Sequence, residues 1–224
     1  FASIETMKRM IDGCHIFVLS GGFSAGDEPD GSGKFIANVL NNRKITDAIH
    51  ALLDRGGLIL GICNGFQALV KSGLLPYGRL GCVGKESPTL FRNDINRHVS
   101  QIVTTRVATV NSPWLSSFEV GELHSIAVSH GEGKFVVSDE MAEELFRNGQ
   151  VAFQYVDPDG NATLRAPYNP NGSSFGIEGI ISRDGHILGK MGHTERYEDG
   201  LFKNIAGNKV QEIFANAVNY FKGK

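Results

Sequence analysis

The heptapeptide Gly61-Ile62-Cys63-Asn64-Gly65-Phe66-Gln67 decides how this chain folds, because it turns an apolar strand sharply into a helix. Leu58-Ile59-Leu60 before it is typical of a short buried strand, and residues 67–71 are typical of a helix start. The glycines at positions 61 and 65 predict that the strand and the helix approach each other closely. The segment therefore predicts a strand–turn–helix elbow that lifts Cys63 clear of a sheet.

Cys63 is the candidate nucleophile of this elbow. A thiol at the N-terminus of a helix lies near the positive end of the helix dipole, which favours the thiolate. The alternative is a buried structural cysteine beside a glycine-rich turn. Because glycines flank Cys63 on both sides at this strand–helix junction, we expect Cys63 to be a nucleophile.

Acyl transfer also needs two backbone N–H groups that face the developing oxyanion. The amide of Asn64, directly after the cysteine, is one candidate. The other candidate lies in Ser20-Gly21-Gly22-Phe23-Ser24, which follows an apolar strand at residues 15–19. Ligands gather at the carboxyl ends of strands in open α/β sheets, and the glycines permit close approach. An ordinary βα turn is the alternative for this loop.

A thiol nucleophile needs a base, and the base needs a partner that holds its orientation. His193-Thr194-Glu195, at the end of a strand over residues 186–192, supplies both residue types two positions apart. His130-Gly131-Glu132 has the same spacing and is the competing candidate. From residue types alone, the segment at 193–195 can equally be a polar turn.

Alternating strands and helices, followed by a β-rich region and a final helix, predict one α/β domain. A helix is expected at residues 44–55, with Ile45, Ala48, Ile49 and Leu52 on its buried face. The strand at 15–19 is expected to be buried on both faces. Later strands are expected at residues 101–110, 125–129, 134–137, 150–155, 176–182 and 186–190, with a hairpin turn at 183–185. The last helix carries an apolar stripe of Val210, Ile213, Phe214, Ala217, Val218 and Phe221.

Composition excludes several function classes. A chain of 224 residues can bury a full core, and its net charge of −2 without a basic block gives no reason to expect nucleic-acid binding. No apolar run approaches the ~20 residues of a membrane span, and no signal peptide is visible. The three scattered cysteines, Cys14, Cys63 and Cys82, lack zinc-type spacing and fit a reduced, cytoplasmic compartment.

Several motifs together resemble one known family. Gly61-x-Cys63-x-Gly65-x-Gln67 with His193-x-Glu195 resembles the catalytic triad pattern of class I glutamine amidotransferases. Five stretches, in the same order through nearly the whole chain, resemble more narrowly the amidotransferase domain of phosphoribosylformylglycinamidine synthase. They are Ser20-Gly21-Gly22-Phe23-Ser24-Ala25-Gly26-Asp27, Gly61-Ile62-Cys63-Asn64-Gly65, Ala127-Val128-Ser129-His130-Gly131-Glu132-Gly133, Asn169-Pro170-Asn171-Gly172-Ser173 and Gly192-His193-Thr194-Glu195-Arg196.

The resemblance implies a fold and a set of site residues. The fold would be an open, mostly parallel α/β sheet with flanking helices, the flavodoxin-like amidotransferase fold, with an added β-rich region. Cys63 would attack the side-chain amide of glutamine, with His193 as base and then acid and Glu195 orienting it. Thr194 stands where the family often has proline. The remaining implied roles are an oxyanion hole at Gly22 and Asn64 and glutamine contacts at Gln67, Ser129 and Gly131.

The resemblance also implies partners. This chain would need no cofactor and no metal. The ammonia released from glutamine would pass to a synthetase site on a fused domain or a separate subunit. That site would use ATP and Mg²⁺ to convert formylglycinamide ribonucleotide to formylglycinamidine ribonucleotide. Residues 88–100, with Phe91, Arg92 and Arg97, are expected to form part of that contact. Because family members begin with a strand and a helix before the segment corresponding to residues 1–11, we expect residues 1–224 to lack these elements and to belong to a larger synthase.

Three alternatives stay open at this point. One is the amidotransferase domain of another synthetase. The second is a cysteine hydrolase or stress protein of the DJ-1/PfpI type, which shares the elbow but in which the pair at 193 and 195 would have no role. The third is a non-catalytic interaction domain, which an intact triad argues against.

Overall fold

The computed structural model describes residues 2–22 and 33–223, which form nine strands and seven α-helices. The strands are β1 (Ile16–Leu19), β2 (Leu58–Ile62), β3 (Thr89–Phe91), β4 (Val99–Val107), β5 (Leu123–His130), β6 (Lys134–Val136), β7 (Val151–Tyr155), β8 (Ile177–Ile181) and β9 (Ile187–Lys190). The helices are α1 (Ala2–Gly13), α2 (Lys34–Leu40), α3 (Arg43–Asp54), α4 (Asn64–Ser72), α5 (Leu74–Tyr77), α6 (Asp139–Arg147) and α7 (Ile213–Lys222). Short 3-10 turns span Pro113–Leu115, Ser174–Gly176 and Thr194–Arg196.

A seven-stranded sheet with the order β1-β2-β9-β8-β7-β4-β5 forms the centre of the molecule. β1, β2 and β9 are parallel, with Leu19 opposite Gly61 and Gly61 opposite Gly189. Every residue of β2 is buried, as expected for a parallel strand covered on both faces. The carboxyl ends of these three strands therefore meet at one edge of the sheet, beside Cys63.

The β-rich region continues the same sheet. β8, β7, β4 and β5 pair antiparallel with their neighbours, and β3 and β6 form a separate two-stranded sheet. The predicted hairpin turn at residues 183–185 joins β8 to β9. The predicted α/β class, with flanking helices and an added β-rich region, is confirmed. Parallel pairing is confined to β1, β2 and β9 in the described part of the chain.

The core confirms the amphipathic pattern of α3, which buries Ile45, Ala48, Ile49 and Leu52. α4 lies under the sheet and is buried along nearly its whole length. A Cβ atom added to Gly65 would overlap the carbonyl of Leu19, and one added to Gly61 would lie 2.8 Å from the carbonyl carbon of Gly65. The two glycines therefore let α4 pack directly against the ends of β1 and β2, as predicted.

One expectation about an apolar segment is wrong, and a second apolar segment is less buried than the core. β1 is not buried on both faces, because among the described residues it pairs only with β2 and lies at the edge of the sheet, which leaves Val18 40 % exposed. The apolar stripe of the last helix is also only partly covered. α7 buries Ile213 and Ala217, whereas Phe214 and Val218 stay 39 % and 44 % exposed. Apolar sequence alone does not say whether a neighbouring element covers it.

Within the described ranges, none of the helices combines the length and the hydrophobicity that a membrane span requires.

Candidate active site

Cys63 occupies the tight junction between β2 and α4. Its backbone has φ 53° and ψ −108°, a conformation that residues other than glycine rarely adopt and that is found at functional sites. Its N–H donates to the carbonyl of Lys190 (2.8 Å), and its own carbonyl accepts from the N–H of Gln67 (3.1 Å). The predicted elbow is thus present, and backbone hydrogen bonds from both sides hold it.

The thiol of Cys63 is buried, and burial raises its pKa to about 11. Hydrogen bonds from the N–H groups of Asn64 and Gly22, and the charge of Arg196, lower the pKa without outweighing burial. The expectation of a thiolate is therefore wrong for the protein without substrate, in which the thiol is neutral at pH 7. The sulfur lies 3.7 Å from the carbonyl oxygen of Ser129. The thiol consequently needs a base to become a nucleophile.

His193 and Glu195 form a hydrogen-bonded pair. Nδ1 of His193 donates to Oε1 of Glu195 at 2.6 Å, and the His193 N–H donates to the carbonyl of Ala127 at 2.8 Å. Because Nδ1 carries the proton, Nε2 is the basic nitrogen. It is buried and has no hydrogen-bond partner among the described residues. The backbone between the two residues enters a 3-10 turn at Thr194–Arg196, and this turn brings the two side chains together.

Glu195 is held in its ionised form. Burial raises the pKa of its carboxyl, but the hydrogen bond from His193 and the electrostatic interaction with that residue outweigh burial and lower the pKa overall. A carboxylate next to Nδ1 fixes the tautomer that leaves Nε2 free, and it would stabilise the imidazolium formed when Nε2 takes a proton.

Gly21 shows that Cys63 and His193 are neighbours. A Cβ atom on Gly21 would lie 2.8 Å from Cε1 of His193 and 3.3 Å from Cβ of Cys63, so the loop after β1 fits against both side chains. The next residue, Gly22, directs its N–H to the Cys63 thiol, as Asn64 does. The structure therefore brings both predicted oxyanion donors to the sulfur. The rest of this motif, residues 23–27, lies outside the described residues.

A small cleft of about 60 Å³ opens beside Cys63. It is lined by Gly22, Cys63, Gln67, Ser129, His130, Gly131, Glu132 and Arg196. The three residues predicted to contact glutamine, Gln67, Ser129 and Gly131, are thus all present in one cleft. Nε2 of Gln67 donates to the carbonyl of Glu132, which leaves Oε1 of Gln67 buried and without a partner among the described residues.

His130, the competing candidate for the base, has a different environment. Its Nδ1 lies 3.2 Å from Oδ1 of Asn93, and Glu132 faces Arg92 at 3.9 Å instead. Burial, together with electrostatic interactions with His98 and His193, lowers the pKa of His130 to about 4. His130 is therefore a neutral side chain held by an amide, and the structure does not give it a carboxylate partner among the described residues.

A group of buried polar side chains supports the end of β5 at His130 and the turn that follows it. Nδ2 of Asn171 donates to the carbonyl of Gly133 (2.8 Å), and Oγ of Ser173 accepts from the N–H of Phe135 (3.0 Å). Nδ2 of Asn93 donates to the carbonyl of His130 (2.8 Å). The stretch at 169–173 thus fixes the backbone of the cleft wall.

Three residues of the site stood in the sequence motifs without a role in glutamine binding. Gly21 packs against both Cys63 and His193, where a side chain would not fit, and Glu132 and Arg196 line the cleft. The available signals were the doubled glycine after β1 and the position of Arg196 next to Glu195. No group of three or more potential metal ligands occurs in the part of the chain that the structure describes.

Comparison with known proteins defines the class of this chain. A family model described as the CobB/CobQ-like glutamine amidotransferase domain matches residues 1–221. The chain belongs to this family of glutamine amidotransferases.

Within this family, the chain is similar to proteins that share one name. The chain is 36 % identical over 202 residues to phosphoribosylformylglycinamidine synthase subunit PurQ of Gloeobacter violaceus, covering 90 % of this chain and 79 % of the relative. It is 37 % identical over 207 residues to the subunit of the same name from Chlorobaculum tepidum, covering 92 % and 81 %. The solved structure of PurLQS from Thermotoga maritima superimposes with a TM-score of 0.67 at 29 % identity, covering 92 % of this chain and 80 % of that chain.

Proposed function

We propose that this chain is the glutaminase component of a phosphoribosylformylglycinamidine synthase, with Cys63, His193 and Glu195 as its catalytic triad. The observation that carries the proposal is the His193–Glu195 hydrogen bond, which leaves a free basic nitrogen beside a cysteine at a strained elbow. In a cysteine hydrolase of the DJ-1/PfpI type this pair would have no role. The relatives named PurQ support the synthase over that alternative.

The first half of the reaction forms a thioester. His193 Nε2 takes the thiol proton, and the sulfur of Cys63 adds to the side-chain carbonyl carbon of glutamine. The oxygen becomes an oxyanion that accepts hydrogen bonds from the N–H groups of Gly22 and Asn64. His193 then returns the proton to the amide nitrogen, the carbon–nitrogen bond breaks and ammonia leaves. Glu195 stabilises the transient imidazolium throughout.

The second half releases glutamate. His193 takes a proton from water, whose oxygen adds to the thioester carbon. The carbon–sulfur bond then breaks, and the thiolate of Cys63 recovers its proton from His193. Because burial raises the pKa of Cys63 to about 11, the proton transfer to His193 is a necessary part of the first step.

The small volume of the cleft is consistent with an active site that takes its final shape when the synthetase binds. At about 60 Å³ the cleft between the described residues is small for glutamine, and we propose that its walls rearrange when the substrate binds. We propose that the synthetase drives this rearrangement and receives the ammonia at its own ATP and Mg²⁺ site. The chain alone should then be a poor glutaminase, and its working compartment would be the cytoplasm.

The contact with the synthetase would include residues 88–100. Phe91 and Ile95 are 61 % and 47 % exposed, although both are large apolar side chains. Arg92 in the same segment faces Glu132, which lines the cleft. A partner bound to this segment would therefore touch the wall of the active site.

The experiment that tests the proposed function measures glutamate and ammonia release from glutamine, with and without the synthetase, ATP and formylglycinamide ribonucleotide. We expect slow release by the chain alone, faster release in the complete mixture and no release by Cys63→Ala. Cys82→Ala is the matched control, because Cys82 is exposed and outside the cleft. Equal release by Cys63→Ala and the unaltered protein would refute the assignment, and equal rates with and without the synthetase would refute the coupling.

A further inference from the structure

A buried ion pair lies directly beneath the segment that carries His193. Glu178 in β8 and Lys190 in β9 are both completely buried, with Nζ of Lys190 3.9 Å from Oε1 of Glu178. Burying two charges costs free energy that their attraction often does not recover, so such a pair is poorly explained by stability alone. Its hydrogen bonds show what it holds in place.

The two side chains bind the two peptide groups of Gly192. Oε1 of Glu178 accepts from the Gly192 N–H, and Nζ of Lys190 donates to the Gly192 carbonyl at 3.1 Å. A Cβ atom on Gly192 would lie 2.8 Å from Oε1 of Glu178 and 3.2 Å from Nζ of Lys190, so a side chain there would have to displace the two charged groups from their hydrogen bonds. The residue before His193 is therefore fixed from both sides.

Lys190 also holds the residue after His193. Its Nζ donates to Oγ1 of Thr194 (3.1 Å) and to Oε1 of Gln211 (2.9 Å), which together with Gly192 uses all three ammonium protons. Thr194 in turn donates to Gln211 at 2.7 Å. The backbone carbonyl of the same Lys190 accepts from the N–H of Cys63. One residue thus contacts the nucleophile through its backbone and both neighbours of the base through its side chain.

We propose that Lys190 and Glu178 are positioning residues that hold His193 in place for proton transfer from Cys63. The inference rests on the proposed function, because it assigns a role toward the base of that reaction. A charged side chain that hydrogen-bonds three groups around one short segment restricts that segment more than apolar packing would. A displacement of about 1 Å at a reacting group can cost on the order of a hundredfold in rate.

The test compares three variants in the complex with the synthetase. Glu178→Gln combined with Lys190→Met removes both charges together, so neither is left unpaired in the core. Thr194→Val removes one hydrogen bond to Nζ and serves if the double variant does not fold. Gln150→Leu is the control for a structural effect, because Gln150 is also buried and donates to the carbonyls of Pro76 and Ile181.

The readouts are kcat and KM for glutamine, the unfolding temperature and the low-field proton resonance of the His193–Glu195 hydrogen bond. For the double variant we expect kcat to fall about tenfold to a hundredfold, with KM unchanged and the resonance shifted or lost. Thr194→Val should show a smaller fall in kcat with a shifted resonance. Gln150→Leu should lower the unfolding temperature and leave kcat and the resonance unchanged.

Wild-type kcat and an unaltered resonance in a folded double variant would overturn the inference. If the double variant does not fold, unaltered values in Thr194→Val would overturn it instead. Failure of the unaltered complex to hydrolyse glutamine would contradict the proposed function itself, so the two failures are distinguishable.

Discussion

The protonation states of Cys63 and Glu195 are set by the groups around them more than by the ordinary pKa of a thiol or a carboxyl. Cys63 lies at a helix N-terminus, which favours a thiolate, yet burial raises its pKa to about 11. Glu195 is partly buried, yet its contact with His193 lowers the pKa of its carboxyl. The free protein therefore holds a neutral thiol and an ionised carboxylate, and in the proposed reaction the imidazole of His193 would move the proton.

The raised pKa of Cys63 predicts how the free chain reacts with alkylating agents. A thiol with a pKa raised above its ordinary value near 9 stays protonated until the pH approaches about 11. We expect alkylation of Cys63 by iodoacetamide to keep rising up to that pH, while Cys82 is labelled faster because it is exposed. Peptide mapping by mass spectrometry at several pH values measures this. A plateau in Cys63 labelling below pH 8 would contradict the raised pKa.

An electrophile shaped like glutamine should reverse this order of reactivity. A diazo-ketone analogue of glutamine places its reactive carbon at the cleft, where His193 can take the thiol proton. We expect it to label Cys63 and to spare Cys14 and Cys82, as mapped on the synthetase complex. Equal labelling of all three cysteines in the folded protein would argue against a built glutamine site.

The charge of Glu195 should matter more than its size. Glu195→Gln retains the shape but removes the negative charge that orients His193 and stabilises its protonated form. We expect kcat for glutamine to fall by roughly 10²- to 10⁴-fold, as for amide replacements in other triads, with the unfolding temperature nearly unchanged. Glu198→Gln, three residues further and exposed, is the control and should keep full activity. A Glu195→Gln variant as active as this control would remove Glu195 from the triad.

At the level of elements, the elbow depends on the close packing of α4 against the strands. Gly65 lies against the carbonyl of Leu19, so any side chain there must push α4 away from β1. We expect Gly65→Ala to lower the free energy of unfolding by about 1–3 kcal/mol and to reduce activity, because Cys63 precedes this helix. Urea unfolding measures the change. Gly84→Ala is the control, because a Cβ atom there meets nothing within 4 Å, and equal stability of the two variants would contradict the packing account.

Most elements could be predicted from the sequence because their apolar pattern is local. The strands from β4 to β9 and the helix α3 coincide with stretches whose apolar pattern is recognisable in the sequence itself. The helix α6 was missed, although Ser138 caps it by accepting from the N–H of Met141 and acidic residues fill its first turn. Its short polar sequence lies between strands and buries only Ala142 and Leu145. Its signal was therefore the cap, not the apolar pattern.

The positions of the site residues were partly predictable for a related reason. Motif spacing pointed to Cys63 and to the pair at 193 and 195, because those residues are close in sequence to the structural breaks that present them. The Glu178–Lys190 pair depends on two strands meeting in the sheet, which no local pattern describes. Its only signal in the sequence is a charged residue within each of two otherwise apolar buried strands.

At the level of the whole molecule, the exposed segment at 88–100 connects the active-site wall to the outside. Replacing Phe91 with Asp removes an apolar contact from a side chain that is already 61 % exposed, so the fold should not change. We expect weaker association with the synthetase and loss of the stimulated glutaminase rate, while the slow rate of the isolated chain persists. Analytical ultracentrifugation and glutamate release measure the two effects. Val120→Asp, at another exposed apolar residue, is the control. If both variants bind the synthetase equally well, the contact does not include Phe91.

The most direct test of the central claim is to trap the thioester. The complex with the synthetase is mixed with glutamine, quenched in acid during turnover and analysed by mass spectrometry of the peptide that contains Cys63. The account predicts a mass gain of one glutamyl group on that peptide and its absence in Cys63→Ala, which should also release no ammonia. Ammonia release from glutamine by Cys63→Ala at the unaltered rate, without an adduct on any cysteine, would contradict it.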